Sequence, residues 1–391
     1  MTTRENTSGQ VLVVNSGSSS LKFGLFTERG ADETADFSGG VDGIGQRNGK
    51  LRIFDGNQKT LLDESFTSAS QREALGQILQ ALSKFSNSVP RAVGHRVVHG
   101  GPHLRAHQRI TDKLIETLKA AVHFAPLHIP AALELIRETE HLLPEVKQFA
   151  CFDTAFHRTL PETAFRFALP EELYEKGVQR YGFHGLSYES VLHRLEKNVP
   201  SRVVCAHLGS GASLVALRDG RSVDTTMGLT PTGGIPMATR PGDLDPGILL
   251  FLLRNEKLDA DALEQMLNHQ AGLAAFADGV TDMRQLQDRM QQGDAKAALA
   301  IHVFATAVRK TVGAYAALLG GLDLLIFTGG IGEHSAFVRD LACQDLAFLG
   351  IERTVDGSYA KVKVMSSEEE VQIARHCRRF MQDDGNADNP S

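Results

Sequence analysis

Three short turns in this 391-residue chain are built from glycine and serine, and each follows an apolar run: Ser16–Ser20, Gly209–Ser213 and Gly329–Gly332. Such turns present consecutive backbone N–H groups at short range, which suits phosphate oxygens. Glycine matters there because a Cβ would block the approach or forbid the dihedral angles. None of the three is a standard nucleotide fingerprint. The chain has no G-x-x-x-x-G-K-[ST], and both Gly209-Ser210-Gly211-Ala212-Ser213-Leu214 and Gly330-Ile331-Gly332-Glu333-His334-Ser335 fail G-x-G-x-x-G at the last position. A dinucleotide fold is therefore disfavoured. Taken singly, each turn also reads as a tight hairpin or the start of a helix. A second constellation resembles metal chemistry: His95, His99, His103 and His107 recur every four residues. On one helix they would form a ligating face. Gly100-Gly101-Pro102 would break such a helix in the middle, so no metal site is expected there.

The elements that must position these turns follow from hydrophobic pattern. Val11–Val14 and Leu21–Phe26 read as strands around the first turn, and Val203–His207 and Leu214–Leu217 as strands around the second. Aligning Ser20-Leu21 with Ser213-Leu214 gives an offset of 213 − 20 = 193, close to half the chain, which hints at a duplicated domain. Arg91–Val98, Lys147–Phe152 and Leu322–Phe327 read as further strands. Helices are expected over Thr111–Val122, Pro130–Thr139, Ala295–Leu319, from about Ser335, and over Glu368–Arg379. Gly228 to Gly247 is rich in Gly and Pro and reads as a long loop, a length usually reserved for function. The polar ends, Met1–Gly9 and Asp383–Ser391, read as unstructured. Strands alternating with helices argue for an α/β protein.

Bulk composition narrows the class. With 41 basic and 47 acidic residues the net charge is −6, unlike a nucleic-acid binder, so an anionic substrate needs a local cluster of cations or N–H groups. Cys151, Cys205, Cys343 and Cys377 are too scattered for a zinc site or a disulfide framework, and fit a reducing compartment. The polar N-terminus lacks the apolar core of a signal peptide, and no apolar run approaches the roughly 18–20 residues of a membrane span. A cytoplasmic protein with neither membrane nor nucleic acid as partner is expected.

Two strand–turn–strand units and a later glycine turn match the arrangement of the actin, Hsp70 and sugar-kinase superfold. There, two hairpins from related domains grip phosphates and a third loop holds adenosine. More specifically, the chain resembles the acetate kinases, in a family with propionate and butyrate kinases. The resemblance is carried by seven blocks in order: Val13–Lys22, Gly94–Gly101, Phe152–His157, Arg180–Gly185, His207–Ser213, Thr239-Arg240 with Gly242–Pro246, and Phe327–Glu333. It runs from residue 13 to about 374. It implies an α/β, two-domain actin/Hsp70/sugar-kinase-like (ASKHA) fold with a duplicated sheet-and-helix core. The domains would comprise residues 1–154 plus 371–391, carrying the first phosphate hairpin and part of the acyl site, and 155–370, for nucleotide binding and dimerisation. It also implies reversible, in-line phosphoryl transfer from ATP to acetate, giving ADP and acetyl phosphate, with Mg²⁺ (or Mn²⁺) and in a homodimer.

The resemblance also assigns roles. Arg96 and Arg240 would offset the repulsion between a carboxylate and a γ-phosphate. His184 and His128 would stabilise the transferring phosphoryl. Asp153, at a strand end, reads as a positioning or Mg-supporting group, because acetate (model carboxyl pKa about 4) is already ionised and needs no base. Asn15 and Glu369 correspond to Mg-site residues acting through waters, with Glu368 and Glu370 as near alternatives. Lys22 corresponds to a nucleotide contact, and equally to an outward strand residue. His207, Leu208, Gly209, Ser210 and Gly211 form the second phosphate turn. Asp282-Met283-Arg284 and Gly330-Ile331-Gly332-Glu333-His334 correspond to the adenosine site. Val98, Leu127, Phe183 and Pro231 match the apolar positions around the methyl group, which prefers acetate without sharply excluding a longer acid.

The chain departs from the family pattern at Ile129 in Leu127-His128-Ile129-Pro130, where Asn is usual. It does so again at Ser210, at His334 and at several positions of Thr230–Pro241. No ionic catalytic group is lost. Three other readings compete: a kinase for propionate or butyrate, a non-catalytic nucleotide-binding regulator of the same superfold, and a sugar kinase. The last would require a carboxylate base and have little use for two acceptor-side arginines.

Overall fold

The computed structural model describes residues 9–17, 20–29, 32–46, 48–86, 88–126 and 128–387, without the side chains of 384–387. Ser18 and Ser19 of the first turn, Leu127 of the acyl set, residues 1–8 and residues 388–391 lie outside the described residues. The chain divides into two compact units: one runs to Ala155 and resumes at Glu368, and the other is Phe156–Ser367. The breaks fall one and three residues from the expected 154/155 and 370/371, and the second shift assigns Glu369 and Glu370 to the first unit.

The first unit holds an eight-stranded sheet. Its strands are β1 (Val11–Ser16), β2 (Ser20–Arg29), β3 (Asp32–Asp42), β4 (Gly49–Asp55), β5 (Thr60–Phe66), β6 (Ala92–Val97), β7 (Gln108–Arg109) and β8 (Lys147–Phe152), in the order β5-β4-β3-β2-β1-β6-β8-β7. The second unit holds β9 (Arg202–Leu208), β10 (Ala212–Arg218), β11 (Arg221–Thr225), β12 (Leu324–Thr328) and β13 (Val362–Val364), ordered β11-β10-β9-β12-β13. The segment β3-β2-β1-β6-β8 has the same plan as the whole second sheet. In each, the first three strands form an antiparallel meander and the next two join parallel to the first. This repeated α/β core is the fold expected. The single offset of 193 does not carry it, because the first turn needs Gly17–Ser20 between the pair Ser16 and Leu21, whereas the second needs only Gly209–Gly211 between Leu208 and Ala212.

Val11–Val14 is apolar without alternation because β1 is central and covered on both faces. One face packs Leu12, Val14, Leu21, Phe23 and Ile53 against Leu75 and Ile78 of the helix Gln71–Leu82, which Ser70 caps through its side chain. In the second unit, Val203, Cys205, Val215, Leu217 and Ile326 pack against Tyr188 and Val191 of the helix Gly185–Leu195. The helix Ala295–Leu319 has its expected bounds, opened by Asp294 accepting from the N–H groups of Lys296 and Ala297.

Several expectations are corrected. The third glycine turn is itself a helix, Gly329–His334, whose last carbonyls (Gly332 and Glu333) accept from Arg339 Nη1. A second helix starts at Ala336. The final helix spans Glu369–Ala387 and so consumes most of the expected tail. Its buried face (Ile373, Ala374, Cys377, Arg378) supports propagation past Arg379. The four spaced histidines share no helix: His95 lies in β6 and the others follow it in the irregular stretch up to β7. All four cysteines are buried and none is in a disulfide, and among the described residues no helix is long and apolar enough to cross a membrane.

Candidate active site

In the first unit, three strand ends and one helix start converge. Arg96 is the fifth residue of β6, and parallel pairing places β8 beside it so that Asp153 follows the last β8 residue. Arg96 Nε donates to both oxygens of Asp153 (3.0 and 3.1 Å) and Nη2 donates to Oδ2 (2.6 Å), a bidentate fork. Arg96 Nη1 donates to Asn15 Oδ1 at 3.1 Å, from the end of β1, and lies 3.5 Å from Glu369 Oε2. Asn15 Nδ2 in turn donates to Glu370 Oε1 at 2.7 Å and reaches Glu369 Oε2 at 3.4 Å. The helix carrying both glutamates sits close to β6 because residue 94 is glycine: a Cβ there would lie 2.4 Å from Ile373 and 2.7 Å from Cys377.

Asp153 is 1% exposed. Burial pushes its carboxyl up from the ordinary value and Glu369 adds to this, while the adjacent Arg96 pulls it down. Burial alone would lower the Arg96 guanidinium, but Asp153, Glu369 and Glu370 hold it firmly charged. Three carboxylates thus face one guanidinium, an excess of negative charge built from hard oxygen donors. Together with the Asn15 amide oxygen this donor set fits a hard divalent cation. Glu370 was only an alternative in the sequence, because three consecutive glutamates at a helix start cannot be told apart until the helix phase is known.

The second unit assembles a different cluster. His184, at φ 57 in the left-handed region, opens the helix Gly185–Leu195. Its Nδ1 is 2.9 Å from Ser213 Oγ, and its ring stacks on His207 at 4.2 Å between centroids. His207 Nδ1 meets Ser187 Oγ at 2.8 Å. A Cβ on Gly211 would lie 3.3 Å from His184 Nε2 and 3.6 Å from Arg240 Nη1, so the second phosphate turn, the imidazole and the guanidinium come together. Arg240 Nη1 donates to Pro231 O, and Ala238 N donates to Ser210 O, which ties the Gly/Pro loop to that turn. No carboxylate among the described residues pairs with Arg240, and burial lowers its pKa.

The remaining candidates are placed as follows. Lys22 is exposed and stands opposite Asn15 in the β1–β2 register. His128 is half-buried at the start of the helix Ile129–Leu142. Ile129, where an amide was expected, is wholly buried, so packing replaces that polar group. Val98 and Pro231 are half-buried and Phe183 is buried. Leu208 is buried, Gly209 half-buried and Ser210 exposed. Asp282 caps the helix Met283–Gln291 by accepting from the N–H groups of Arg284 and Gln285, Met283 is in the core, and Arg284 is exposed. In the third turn, Gly330 and His334 are exposed, Ile331 is half-buried and Gly332 buried, and Glu333 Oε1 accepts from Ser367 N at 3.0 Å. Tyr188 and Ser213, which back His184, were not singled out as site residues, since nothing in the spacing joins a helix tyrosine to a strand serine.

Comparison with known proteins gives a consistent answer. The sequence model of the acetokinase family matches residues 10–375. The acetate kinase of Coprothermobacter proteolyticus is 41% identical, over 94% of this chain and 97% of that protein. That of Treponema denticola is 37% identical, over 94% and 98%. Among solved structures, an acetate kinase from Porphyromonas gingivalis superposes with a TM-score of 0.83 at 34% identity, covering 96% of this chain and all of the other. A propionate kinase from Francisella tularensis superposes with a TM-score of 0.87 at 34% identity, covering 95% and all of it.

Proposed function

Because this chain belongs to the acetokinase family and is a kinase, we propose that it transfers the γ-phosphoryl group of ATP to acetate, reversibly, giving acetyl phosphate and ADP. An acetate oxygen attacks phosphorus in line, the bond from phosphorus to the β,γ-bridging oxygen breaks, and ADP leaves with that electron pair. Acetate enters as its anion, so no proton moves.

The observation that carries this reading is Arg240: a half-buried guanidinium with no carboxylate partner among the described residues, beside a glycine turn and an imidazole. A partly desolvated cation lacking a counter-ion favours an anionic ligand. Arg240 neutralises the reacting anions, and His184 donates a hydrogen bond to charge developing on the phosphoryl oxygens. His128 does the same from its helix start. The His207–Gly211 turn binds phosphate through backbone N–H groups, and Gly330–His334 with Asp282–Arg284 serves adenosine. Arg96 orients the carboxylate. Asp153, with both oxygens engaged by Arg96, positions that arginine and acts as no base. Asn15, Glu369 and Glu370 would hold Mg²⁺, partly through waters, and Mg²⁺ when bound would offset phosphate charge. Val98 of the first unit, and Phe183 and Pro231 of the second, are the apolar residues assigned to the acyl side.

A propionate kinase is the second reading, favoured by the likeness to a solved protein of that name; one methylene changes binding by only about 1–3 kcal/mol. The protein works in the cytoplasm as a homodimer. Support for the dimer comes from the helix Pro246–Arg254, which buries none of its side chains while Ile248, Leu250, Phe251 and Leu253 stand exposed. The test is hydroxylamine trapping with Mg-ATP and acids of increasing length. Acyl hydroxamate should form fastest with acetate. Bound ATP without acid-dependent hydroxamate would leave a regulator, and a faster rate with propionate would reassign the substrate.

A further inference from the structure

We propose that Tyr188 and Ser213 are positioning residues that hold His184 as the neutral tautomer with its proton on Nε2, aimed at the Gly209–Gly211 turn. The inference rests on the reading that this imidazole serves the transferring phosphoryl group, and it adds which nitrogen carries the proton and what sets it. Ser213 Oγ lies between two groups, His184 Nδ1 at 2.9 Å and Tyr188 Oη at 2.5 Å. Ser213 and Tyr188 are both wholly buried, so water cannot supply another partner.

The direction of each proton can be worked out from the far end. Among the described residues the wholly buried Tyr188 phenol has one side-chain hydrogen-bond partner, Ser213 Oγ. Its single proton is therefore directed there. Burial keeps that phenol protonated, since its pKa is raised well above the ordinary value. Ser213, accepting from tyrosine, turns its own proton toward His184 Nδ1. Nδ1 is thereby an acceptor, and the ring proton of a neutral imidazole sits on Nε2.

The nitrogen left carrying the proton is the one near the turn, 3.3 Å from the place a Cβ of Gly211 would occupy. An imidazolium fits this relay poorly. Its Nδ1–H would also donate to Ser213 Oγ, leaving the serine proton without an acceptor in a dry site. Arg240 Nη1, close to the same glycine, adds a positive charge that opposes a second one. Stacking on His207 at 18° between ring planes fixes the remaining freedom of the ring.

The test uses the full chain labelled with ¹⁵N-histidine, the His184 signals being identified by their loss in His184→Gln. Near neutral pH, Nε2 should show the shift of a protonated ring nitrogen and Nδ1 that of an unprotonated one. The reverse pattern, or two protonated nitrogens, overturns the proposal. This arm needs no substrate, so it stands or falls separately from the acetate reading. Ser213→Ala should mix the tautomers and lower kcat on the order of tenfold or more, with KM for ATP within about twofold. Tyr188→Phe, which keeps the ring in the core, should shift the same ¹⁵N signals and lower kcat less, because Ser213 can then turn its proton either way. Unchanged signals and kcat in Tyr188→Phe would sink the idea even if Ser213→Ala failed to fold.

Discussion

The two arginines of the proposed site carry the same guanidinium in opposite environments. Arg96, in the first unit, is saturated: Asp153 grips it bidentately, and Asn15 and Glu369 take the rest of its fork. Arg240, in the second, donates only to the carbonyl of Pro231 and faces no carboxylate among the described residues. The same contrast runs through the surroundings. One sheet end gathers carboxylates, the other gathers imidazoles, hydroxyls and glycine N–H groups. A duplicated backbone plan therefore presents a carboxylate-rich end in one copy and an end rich in imidazoles, hydroxyls and N–H groups in the other. The difference teaches that Arg96 is held by partners of its own unit, whereas Arg240 keeps the guanidinium that the proposed function assigns to a ligand.

The sharpest way to break that comparison is to delete each arginine. Arg240→Ala should lower kcat by about 10³-fold or more, in line with losing a charge-stabilising group at a phosphoryl centre, and leave the melting temperature nearly unchanged. Arg96→Ala should also lower kcat steeply. In addition it should cost about 3–5 kcal/mol of stability, because Asp153 is left buried and unpaired. Denaturant unfolding measures the second effect, and equal stability losses in the two variants would remove the distinction.

The carboxylate end can be probed next. Glu369→Gln and Glu370→Gln should each raise the Mg²⁺ concentration needed for half-maximal rate, on the order of tenfold, as expected when an oxygen ligand or its support is weakened. Glu370→Gln should be the more damaging if its 2.7 Å contact with Asn15 organises the donors. A Mg²⁺ requirement unmoved in both would detach this cluster from the metal.

The smallest expected effect is a likeness between the units. Each buries a histidine whose pKa burial lowers to about 4, His95 beside Gln148 and His157 between Ser222 and the Phe183 carbonyl. Both are neutral when folded and bind a proton more readily when unfolded, so stability should be full above about pH 6.5 and decline as pH falls toward 4. The decline is at most about 3 kcal/mol per histidine. His157→Gln should flatten part of that dependence, and an unchanged slope would show that other groups cause it.

Much of this was legible in the chain. Strand–turn–strand patterns and the alternation with helices pointed to the fold, because glycine spacing and uninterrupted apolar runs are local properties; Arg96, Asp153, His184 and Arg240 were singled out only through the resemblance carried by the seven motif blocks. The bounds of Ala295–Leu319 were readable for the same reason: one apolar stripe between an Asp cap and a glycine. The third turn was misread as a loop because its helix is held by Arg339, a contact from outside the motif.

Residue types and order thus determined which groups were available: two arginines, a carboxylate at a strand end, histidines near glycine turns. Tertiary structure alone decided their partners. Glu370 rather than Glu369 comes nearest Asn15, and Ser213 joins Tyr188 to His184, since both contacts depend on the phase at which a helix meets a sheet. Hydrogen bonds are made over about 3 Å in space, while residues 15 and 370, or 184 and 213, are distant in sequence. No local pattern encodes that approach; only the packed cores that set helix against strand do.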